Sequence, residues 1–406
     1  MIGPQEAWKT ILHYVQPLEA IEVPLERALG CCLAEPIQAD RDIPAEDRSA
    51  MDGYAVRSTD LQSAPAELKV IGEVAAGQPP HLEVTPGSCV RIYTGASIPR
   101  GADAVAILEQ AEERDGWVRF RKPVAVGENI FRRGEDAREG DELLPAGTRL
   151  GPVEIGICAA VGKSRVRVHR PPQVVILCTG SELVAADCEP PPWGVRNSLG
   201  PALAAALRQW GLPDARYQVV PDQVAAVRGA LRRCLPRCDV VILTGGVSAG
   251  RYDYVPQAVE AIGATIRFHR VAMKPGKPTL YATFGENRHI FGLPGNPLSA
   301  LTAFHEFALP ALRRLSGVEP ESCRPSLLAS LAAPLPRPGG RVRYQLARLV
   351  WVGHEAKVVP VMSHSSADLP SAGRTDGVVV LRPGVEGLPA GEVVEFRPWG
   401  PWLWRA

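Results

Sequence analysis

Two apolar runs in this chain end the same way: residues 174–178 lead into Thr179-Gly180, and residues 240–243 lead into Thr244-Gly245-Gly246. A short apolar run with no polar alternation suits a strand covered on both faces, so both read as buried strands of a parallel sheet. Parallel strands need long crossovers, and the segment between them supplies two helices. Leu199, Leu203, Leu207 and Trp210 recur at helical spacing before Gly211, and Asp222 stands as the cap of a second helix carrying Val224, Val227, Leu231 and Leu235. The stretch 171–318 therefore reads βαβαβ. It continues with strand-like residues 265–271, 280–284 and 290–293, then a helix over about 298–315, kinked at Pro310 and stopped by Gly317. In an open sheet of this kind ligands sit outside the strands' carboxyl ends, which is where the Thr-Gly turns lie.

The other stretches follow different patterns. Ala7, Trp8, Ile11, Leu12 and Val15 form the apolar stripe of an N-terminal helix ended by Pro17. Between residues 45 and 140 short β-like runs (68–74, 89–93, 104–108, 117–121) alternate with Gly and Pro clusters, as in a β-rich insert. Val166 and Val168 alternate after it, so the segments flanking the insert are expected to pair. After residue 319 helical spacing disappears, and residues 327–331, 342–351, 356–361, 378–381 and 393–396 suggest a small β-barrel or sandwich. With roughly 100–200 residues per domain, 406 residues make two to four domains. The expected division is 1–44 with 141–170, 45–140, 171–318 and 319–406.

Charge and cysteine usage exclude several classes. With 45 basic and 44 acidic residues the formal charge is +1, so no global field recruits nucleic acid or an anionic membrane. No apolar run approaches the ~20 residues a membrane-spanning helix needs. The nine cysteines form no C-x-x-C pair and no disulfide framework, as suits a soluble protein of a reducing cytoplasm.

Any anion site must then be local, and the lysines point to one. Only seven of the basic residues are lysine, and two of them stand three apart in Met273-Lys274-Pro275-Gly276-Lys277-Pro278. An ammonium is a compact point charge on a flexible stem, suited to a phosphate or another oxyanion. Three loops of the α/β stretch combine the needed groups. Thr179-Gly180-Ser181-Glu182 places a carboxylate at a strand exit. Thr244 to Gly250 (TGGVSAG), with Ser248 and the following Asp253, offers backbone amides that can hold an oxyanion. The lysine loop is joined by Gly292-Leu293-Pro294-Gly295-Asn296-Pro297-Leu298-Ser299, where proline stiffens the chain. Carboxylates beside amides and ammoniums are what a divalent cation bridging a phosphate requires.

Other motifs fail. Residues 156–164 (GICAAVGKS) are one residue too long for a P-loop, and a strand-like alternation follows where a helix should open. Cys234 and Cys238 lack a second ligand pair for zinc; His269, His289 and His305 are scattered; and no G-x-S-x-G elbow is present.

Nearly the whole chain resembles one family. In order stand Arg48-Ser49-Ala50-Met51-Asp52-Gly53-Tyr54-Ala55, Gly72-Glu73 with Ala76-Gly77, Thr94-Gly95-Ala96 to Val105, Gly127-Glu128-Asn129-Ile130 to Gly134-Glu135-Asp136, and the three loops above. SAMDGYA together with GGVSAG, MKPGKP and GLPGNP is similar to the molybdopterin molybdenumtransferase family (MoeA, and the homologous C-terminal region of gephyrin). The resemblance implies an α/β multidomain chain. It would comprise a molybdopterin-binding βαβ domain with a parallel-rich sheet, a β-rich insert, a small mixed domain and a C-terminal β-barrel. It further implies an elongated homodimer whose cleft includes the partner's insert.

The same resemblance implies the chemistry. Such enzymes insert molybdate-derived molybdenum at the dithiolene of adenylylated molybdopterin and release AMP with Mg²⁺. It places Glu182 and Asp253 at the metal, with Asp52 and Asp136 as the insert's contribution to catalysis. It gives Thr179, Gly180, Ser181, Asn197, Gly245, Gly246, Ser248, Lys274, Lys277, Pro278, Pro294, Asn296, Ser299, Arg341 and Ser366 to the substrate and its oxyanions. Molybdopterin adenylyltransferase and apo-molybdoenzymes are the transient partners it implies. Three positions depart from the family pattern: Phe131 and Leu346 stand where relatives commonly carry arginine, and Ser181 where aspartate is usual. The competing functions are adenylyl transfer to molybdopterin, which consumes ATP, and a carrier or scaffold that binds the cofactor without turnover.

Overall fold

A computed structural model describes residues 1–79, 81–248, 254–336, 339–384 and 387–400. By internal packing the chain divides into two compact units, one of residues 1–34, 147–151 and 165–406, the other of residues 35–146 and 152–164.

The first unit is organised around a six-stranded sheet. Its spatial order is Arg216–Val220, Val174–Thr179, Val240–Thr244, Arg288–Leu293, Leu280–Phe284 and Thr265–His269. The first four strands are parallel, Leu280–Phe284 runs against them, and Thr265–His269 pairs antiparallel with it. Alternate residues feed two cores. Ile176, Val240 and Ile242 pack with Leu203, Leu207, Phe304 and Phe307, while Leu177, Val241 and Leu243 pack with Val227, Leu231, Val255 and Val259 on the opposite face. Each such buried aliphatic contributes roughly 1.5–3 kcal/mol relative to exposure, which is why the two runs carry no polar alternation. Chain order matters for function. From Val174–Thr179 the chain crosses to one neighbouring strand, Arg216–Val220, and then returns to the other, Val240–Thr244. The order reverses at these two carboxyl ends, and the reversal opens a crevice between them.

Several elements differ in detail from the sequence reading. The N-terminal helix is Pro4–Tyr14, closed at Val15 ahead of Pro17, and its Ala7, Trp8 and Ile11 dock on the core that holds Phe307 and Leu312. Asp222 does not cap the next helix, which runs Val224–Cys234 with Gln223 at its cap position; the Asp222 carboxylate instead accepts from the Ser181 amide at 3.2 Å. The long helix is two α segments, Pro297–Ala303 and Leu309–Leu315, around a π-helical turn at Phe304–Ala308. Pro310 has no N–H for the ladder, so the irregularity falls on the turn preceding it rather than as a kink at the proline itself. The strands flanking the insert do pair: Ala20–Pro24 runs antiparallel to Arg165–His169.

One buried ion cluster ties the base of the sheet together. Asp239, 3 % exposed, accepts from Arg170 at 2.7 and 3.0 Å, from Arg288 at 3.1 Å and from the Gln173 amide at 2.7 Å. Burial pushes the Asp239 carboxyl up, yet the Arg170 and Gln173 hydrogen bonds outweigh it and hold the group below its ordinary value. Its contribution is therefore present above the unfolded-state value of about 3.9 and is lost as the pH falls through the folded value. Asp239→Asn is expected to cost about 3 kcal/mol at pH 7 by taking the carboxylate from Arg288 and leaving Arg170 with Glu19 alone. Thermal unfolding measured from pH 7 to pH 3 should show the gap between variant and parent closing toward the acid end.

The C-terminal segment of this unit forms a closed five-stranded barrel. Val342–Val352 pairs with both Glu355–Pro360 and Gly377–Leu381, and Leu327–Leu331 and Val393–Pro398 complete the ring. Ala347, Val358, Val379 and Phe396 fill it, all fully buried. A two-residue strand from the α/β part, Met273–Lys274, adds alongside in parallel, with Met273 opposite Val342 and Lys274 opposite Arg343.

The second unit holds a six-stranded mixed sheet ordered Ala104–Ile107, Gly53–Val56, Ser88–Ile92, Ala66–Val74, Trp117–Phe120 and Ala111–Arg114. Gly53–Val56, from the SAMDGYA motif, is buried at all four residues. A side chain at Gly53 would place its first carbon 2.1 Å from the Ala106 carbonyl oxygen, so only glycine permits this strand spacing.

Candidate active site at the strand reversal

The turns after Val174–Thr179 and Val240–Thr244 interlock. The Thr179 hydroxyl donates to the Thr244 carbonyl at 3.2 Å, and the Gly245 amide donates to the Leu293 carbonyl at 3.0 Å, which fastens the GLPGNP loop to the same place. Gly245 sits at φ +90°, and a Cβ there would lie 2.6 Å from the Thr179 carbonyl oxygen. Gly245→Ala is accordingly expected to destabilise the chain by about 1–3 kcal/mol through backbone strain alone, read as a lower urea midpoint with an unchanged slope. At Gly180 an added Cβ would come within 2.9 Å of both Glu182 carboxylate oxygens, so glycine lets that carboxylate fold back over the turn.

Two cavities meet here. One, of about 600 Å³, is lined by Thr179, Glu182, Asn197, Ser198, Asp222, Gly245, Gly246 and Ser248, with Arg196 at its side. Its ionisable groups are mostly carboxylates. Asp222 is partly committed to Ser181, and the Arg196 guanidinium donates to the Cys188 carbonyl at 3.0 Å, which leaves Glu182 exposed to solvent as the open acid. The Asn197 side chain accepts from the Gly200 amide at 3.0 Å, capping the helix that starts at Leu199 while lining the cavity.

The other cavity, of about 440 Å³, has the opposite character. Lys274, Lys277, Arg341 and Arg343 line it, with His364 and the hydroxyls of Ser299, Ser363, Ser365 and Ser366, and no carboxylate lines it among the described residues. Four cations lining one space with no carboxylate in its wall make a site for an anion. Their positions are fixed by the main chain. Lys274 is held in the strand beside Arg343, the Arg341 guanidinium donates to the Met273 carbonyl at 3.2 Å, and the Lys277 carbonyl accepts from the Val271 amide at 2.9 Å. The Asn296 amide donates to the Ser366 hydroxyl at 2.7 Å, and the Leu298 amide to the Ser366 carbonyl at 3.0 Å, so the serine loop of the barrel is latched to GLPGNP. Pro278, Pro294 and Asn296 belong to the walls of both cavities. The acidic and the cationic space are thus neighbours across one proline-stiffened partition.

Most of the residues singled out in the sequence come together here, among them Glu182, Thr179, Asn197, Gly245, Gly246, Ser248, Lys274, Lys277, Pro278, Pro294, Asn296, Ser299, Arg341 and Ser366. Gly180 and Ser181 stand behind them as the turn. Asp253 and Gly250 lie outside the described residues. Asp52 and Asp136 are exposed in the second unit. There the Asp52 carboxylate accepts from the Thr94 amide and hydroxyl at 2.7 and 2.8 Å, bonds that hold its carboxyl below the ordinary range. The Asp136 amide donates to the Ile43 carbonyl at 2.9 Å.

Sequence reasoning missed Arg343, His364 and the hydroxyls of Ser363 and Ser365, and gave Asp222 a capping role instead of a place in the cavity. The signal for Arg343 is its register opposite Lys274, which only the folded barrel supplies. Of the three departures, Phe131 is half exposed, Ser181 exchanges backbone and side-chain hydrogen bonds with Asp222, and Leu346 forms an aliphatic part of the cationic cavity's wall. The histidines are packed residues. The His269 Nε2 donates to the Val247 carbonyl at 2.7 Å, and the His289 imidazole, 1 % exposed, meets the Tyr281 hydroxyl at 3.0 Å.

The chain matches known proteins along nearly its whole length. The family models for the MoeA N-terminal region (domain I and II), a probable molybdopterin binding domain and the MoeA C-terminal region (domain IV) match residues 2–162, 175–314 and 329–399. Proteins named molybdopterin molybdenumtransferase from Staphylococcus epidermidis and Staphylococcus aureus are 34% and 35% identical over 399 and 402 residues, covering 97% of this chain and 94% and 95% of theirs. The crystal structure of a molybdopterin biosynthesis MoeA protein from Pyrococcus horikoshii OT3 superposes with a TM-score of 0.84 at 30% identity, over 98% of this chain and 100% of that one. A molybdenum cofactor biosynthesis protein from Pyrococcus furiosus, 21% identical with a TM-score of 0.60 over 98% of this chain and 99% of its own, shares the fold. Sequence and architecture together show that the chain belongs to the MoeA family.

Proposed function

We propose that this chain is a molybdopterin molybdenumtransferase, taking adenylylated molybdopterin and molybdate and yielding the molybdenum cofactor and AMP. The observation that carries the reading is the partition. A four-cation cavity suits a tetrahedral dianion, and the acidic cavity sharing Pro278, Pro294 and Asn296 with it suits a metal-bridged phosphoanhydride.

Each group's role follows from its chemistry. Lys274 and Lys277 supply mobile ammoniums, Arg341 and Arg343 fixed guanidiniums, and Ser299 a hydroxyl that can accept from them or donate to an oxyanion. Together they hold molybdate beside the place where the dithiolene arrives. The glycine turn Gly245-Gly246 lets a phosphate approach the backbone closely, and Asn197, anchored through Gly200, presents its amide from a fixed position. Mg²⁺ fits the acidic side, because it usually takes one or two protein carboxylates and fills its remaining positions with water and substrate phosphate. Glu182 would hold it with Asp253, and Asp222 stands in the same cavity. When bound, the ion neutralises the pyrophosphate and makes its phosphorus a better electrophile. Asp52 and Asp136 are assigned to the same reaction as the insert's contribution, in a homodimer acting in the cytoplasm; no helix of the described residues is long and apolar enough to cross a membrane.

The test is a single incubation of the purified chain with adenylylated molybdopterin, Mg²⁺ and molybdate, reading AMP and the activity restored to an apo-molybdoenzyme. AMP release and restored activity, each dependent on molybdate, are expected. ATP consumption with free molybdopterin would replace the reading by adenylyl transfer, and binding with no AMP release would replace it by a carrier.

A further inference from the structure

Away from the partition, the first unit holds another cationic cavity, of about 270 Å³, where the N-terminal segment, the end of the Leu199–Gln209 helix and the Leu309–Leu315 helix meet. Arg27, Arg149 and Arg313 line it, with His169 and Cys31, and no carboxylate lines it among the described residues. Main-chain oxygens, not acids, position the guanidiniums of Arg149 and Arg313. Arg149 donates to the Gly30 carbonyl at 3.2 Å and to the Trp210 carbonyl at 3.4 Å. Arg313 donates to the Cys323 carbonyl at 3.3 Å and lies 4.7 Å over the Trp210 ring. Each guanidinium has five N–H donors, so both keep several unused. Glycine makes room for them: at Gly211, φ +77°, an added Cβ would come within 3.1 Å of the Arg149 Nη2. Glu319, the acid of this neighbourhood, points its carboxylate toward Arg314.

Keeping like charges together in a partly dry pocket is costly without a counter-ion. Burial pushes the Arg313 guanidinium down, and the neighbouring Arg149 charge adds to the effect. His169 donates from Nδ1 to the Leu18 carbonyl at 2.8 Å, so its Nε2 is the ring nitrogen left for a further hydrogen bond. We propose that this cavity binds a small phosphate-type dianion, free or as the phosphoryl group of a compact phosphomonoester, between the forks of Arg149 and Arg313. Forked guanidiniums match two oxygens of a phosphoryl group at once, and the volume admits the oxyanion together with part of an attached group.

The test uses the full chain with Lys274→Ala and Lys277→Ala in place, so that the cationic cavity at the partition is weakened. Inorganic phosphate and, separately, AMP are titrated by calorimetry, and alkylation of Cys31 and Cys188 is followed by peptide mass mapping with and without ligand. Binding that persists in this background, falls by about tenfold or more in Arg149→Gln, and slows alkylation of Cys31 but not of the exposed Cys188 is the expected result. Tighter binding of AMP than of phosphate identifies a phosphomonoester ligand, and equal binding identifies the free ion. Equal affinity in the Arg149→Gln chain, or no binding of either probe, overturns the proposal. Because Arg149 also ties the Gly30 and Trp210 carbonyls, thermal unfolding of Arg149→Gln is measured alongside to separate ligand loss from unfolding, and Arg313→Lys serves as the matching conservative change.

Discussion

Lys274→Ala is expected to lower molybdate-dependent formation of active cofactor by about 10²–10³-fold, the scale of removing one preorganised charge from a site that stabilises developing negative charge. The side chain is exposed, so the protein should fold and unfold like the parent; the loss belongs to the site. Raising molybdate should recover part of the activity, because the remaining Lys277, Arg341 and Arg343 still attract the dianion. Lys274→Arg should recover less than charge alone predicts, since a planar fork cannot take the place of a compact ammonium beside Arg343. The measurement is reconstitution of an apo-molybdoenzyme against molybdate concentration. Full activity in Lys274→Ala would remove the cationic cavity from the mechanism.

Glu182→Gln should act on the other side of the partition. The amide keeps the shape of the side chain and removes the charge that a divalent ion needs. AMP release at low Mg²⁺ should fall at least about tenfold, with saturating Mg²⁺ recovering part of it, while the dependence on molybdate stays as in the parent. A chelator should abolish AMP release from the parent and change little in the variant at low Mg²⁺. A shift in molybdate dependence instead of Mg²⁺ dependence would mean that the two cavities do not divide the work by charge.

What the sequence made legible depends on how local the determining physics is. The strands Val174–Thr179 and Val240–Thr244 could be read directly, because burial on both faces leaves an unbroken apolar run. Arg216–Val220 is less plain: it is an edge strand with four of its five residues exposed, and its polar residues resemble a loop. Gly53–Val56 is a fully buried inner strand of its sheet, yet at four residues beginning with glycine it carries too little pattern to be recognised as one. The lysines stood out by composition, whereas Arg343 joins them only through a strand register between segments some seventy residues apart. Asp222 was misread for a related reason. Its spacing to Val224 suits a helix cap, and only the fold brings Ser181 close enough to compete for its carboxylate.

The Met273–Lys274 strand carries a mechanical consequence. The carboxylates and glycine turns of the acidic cavity belong to the doubly wound sheet, but Lys274 is hydrogen-bonded into the side of the barrel, and Arg341, Arg343 and Ser366 belong to the barrel itself. The spacing between the cationic wall and the acidic wall is therefore set by how the barrel seats on the sheet, with the Asn296–Ser366 bond fastening the two. Two ligands held one in each cavity would thus be spaced by a contact between two separately folded parts of the chain and not by any single loop.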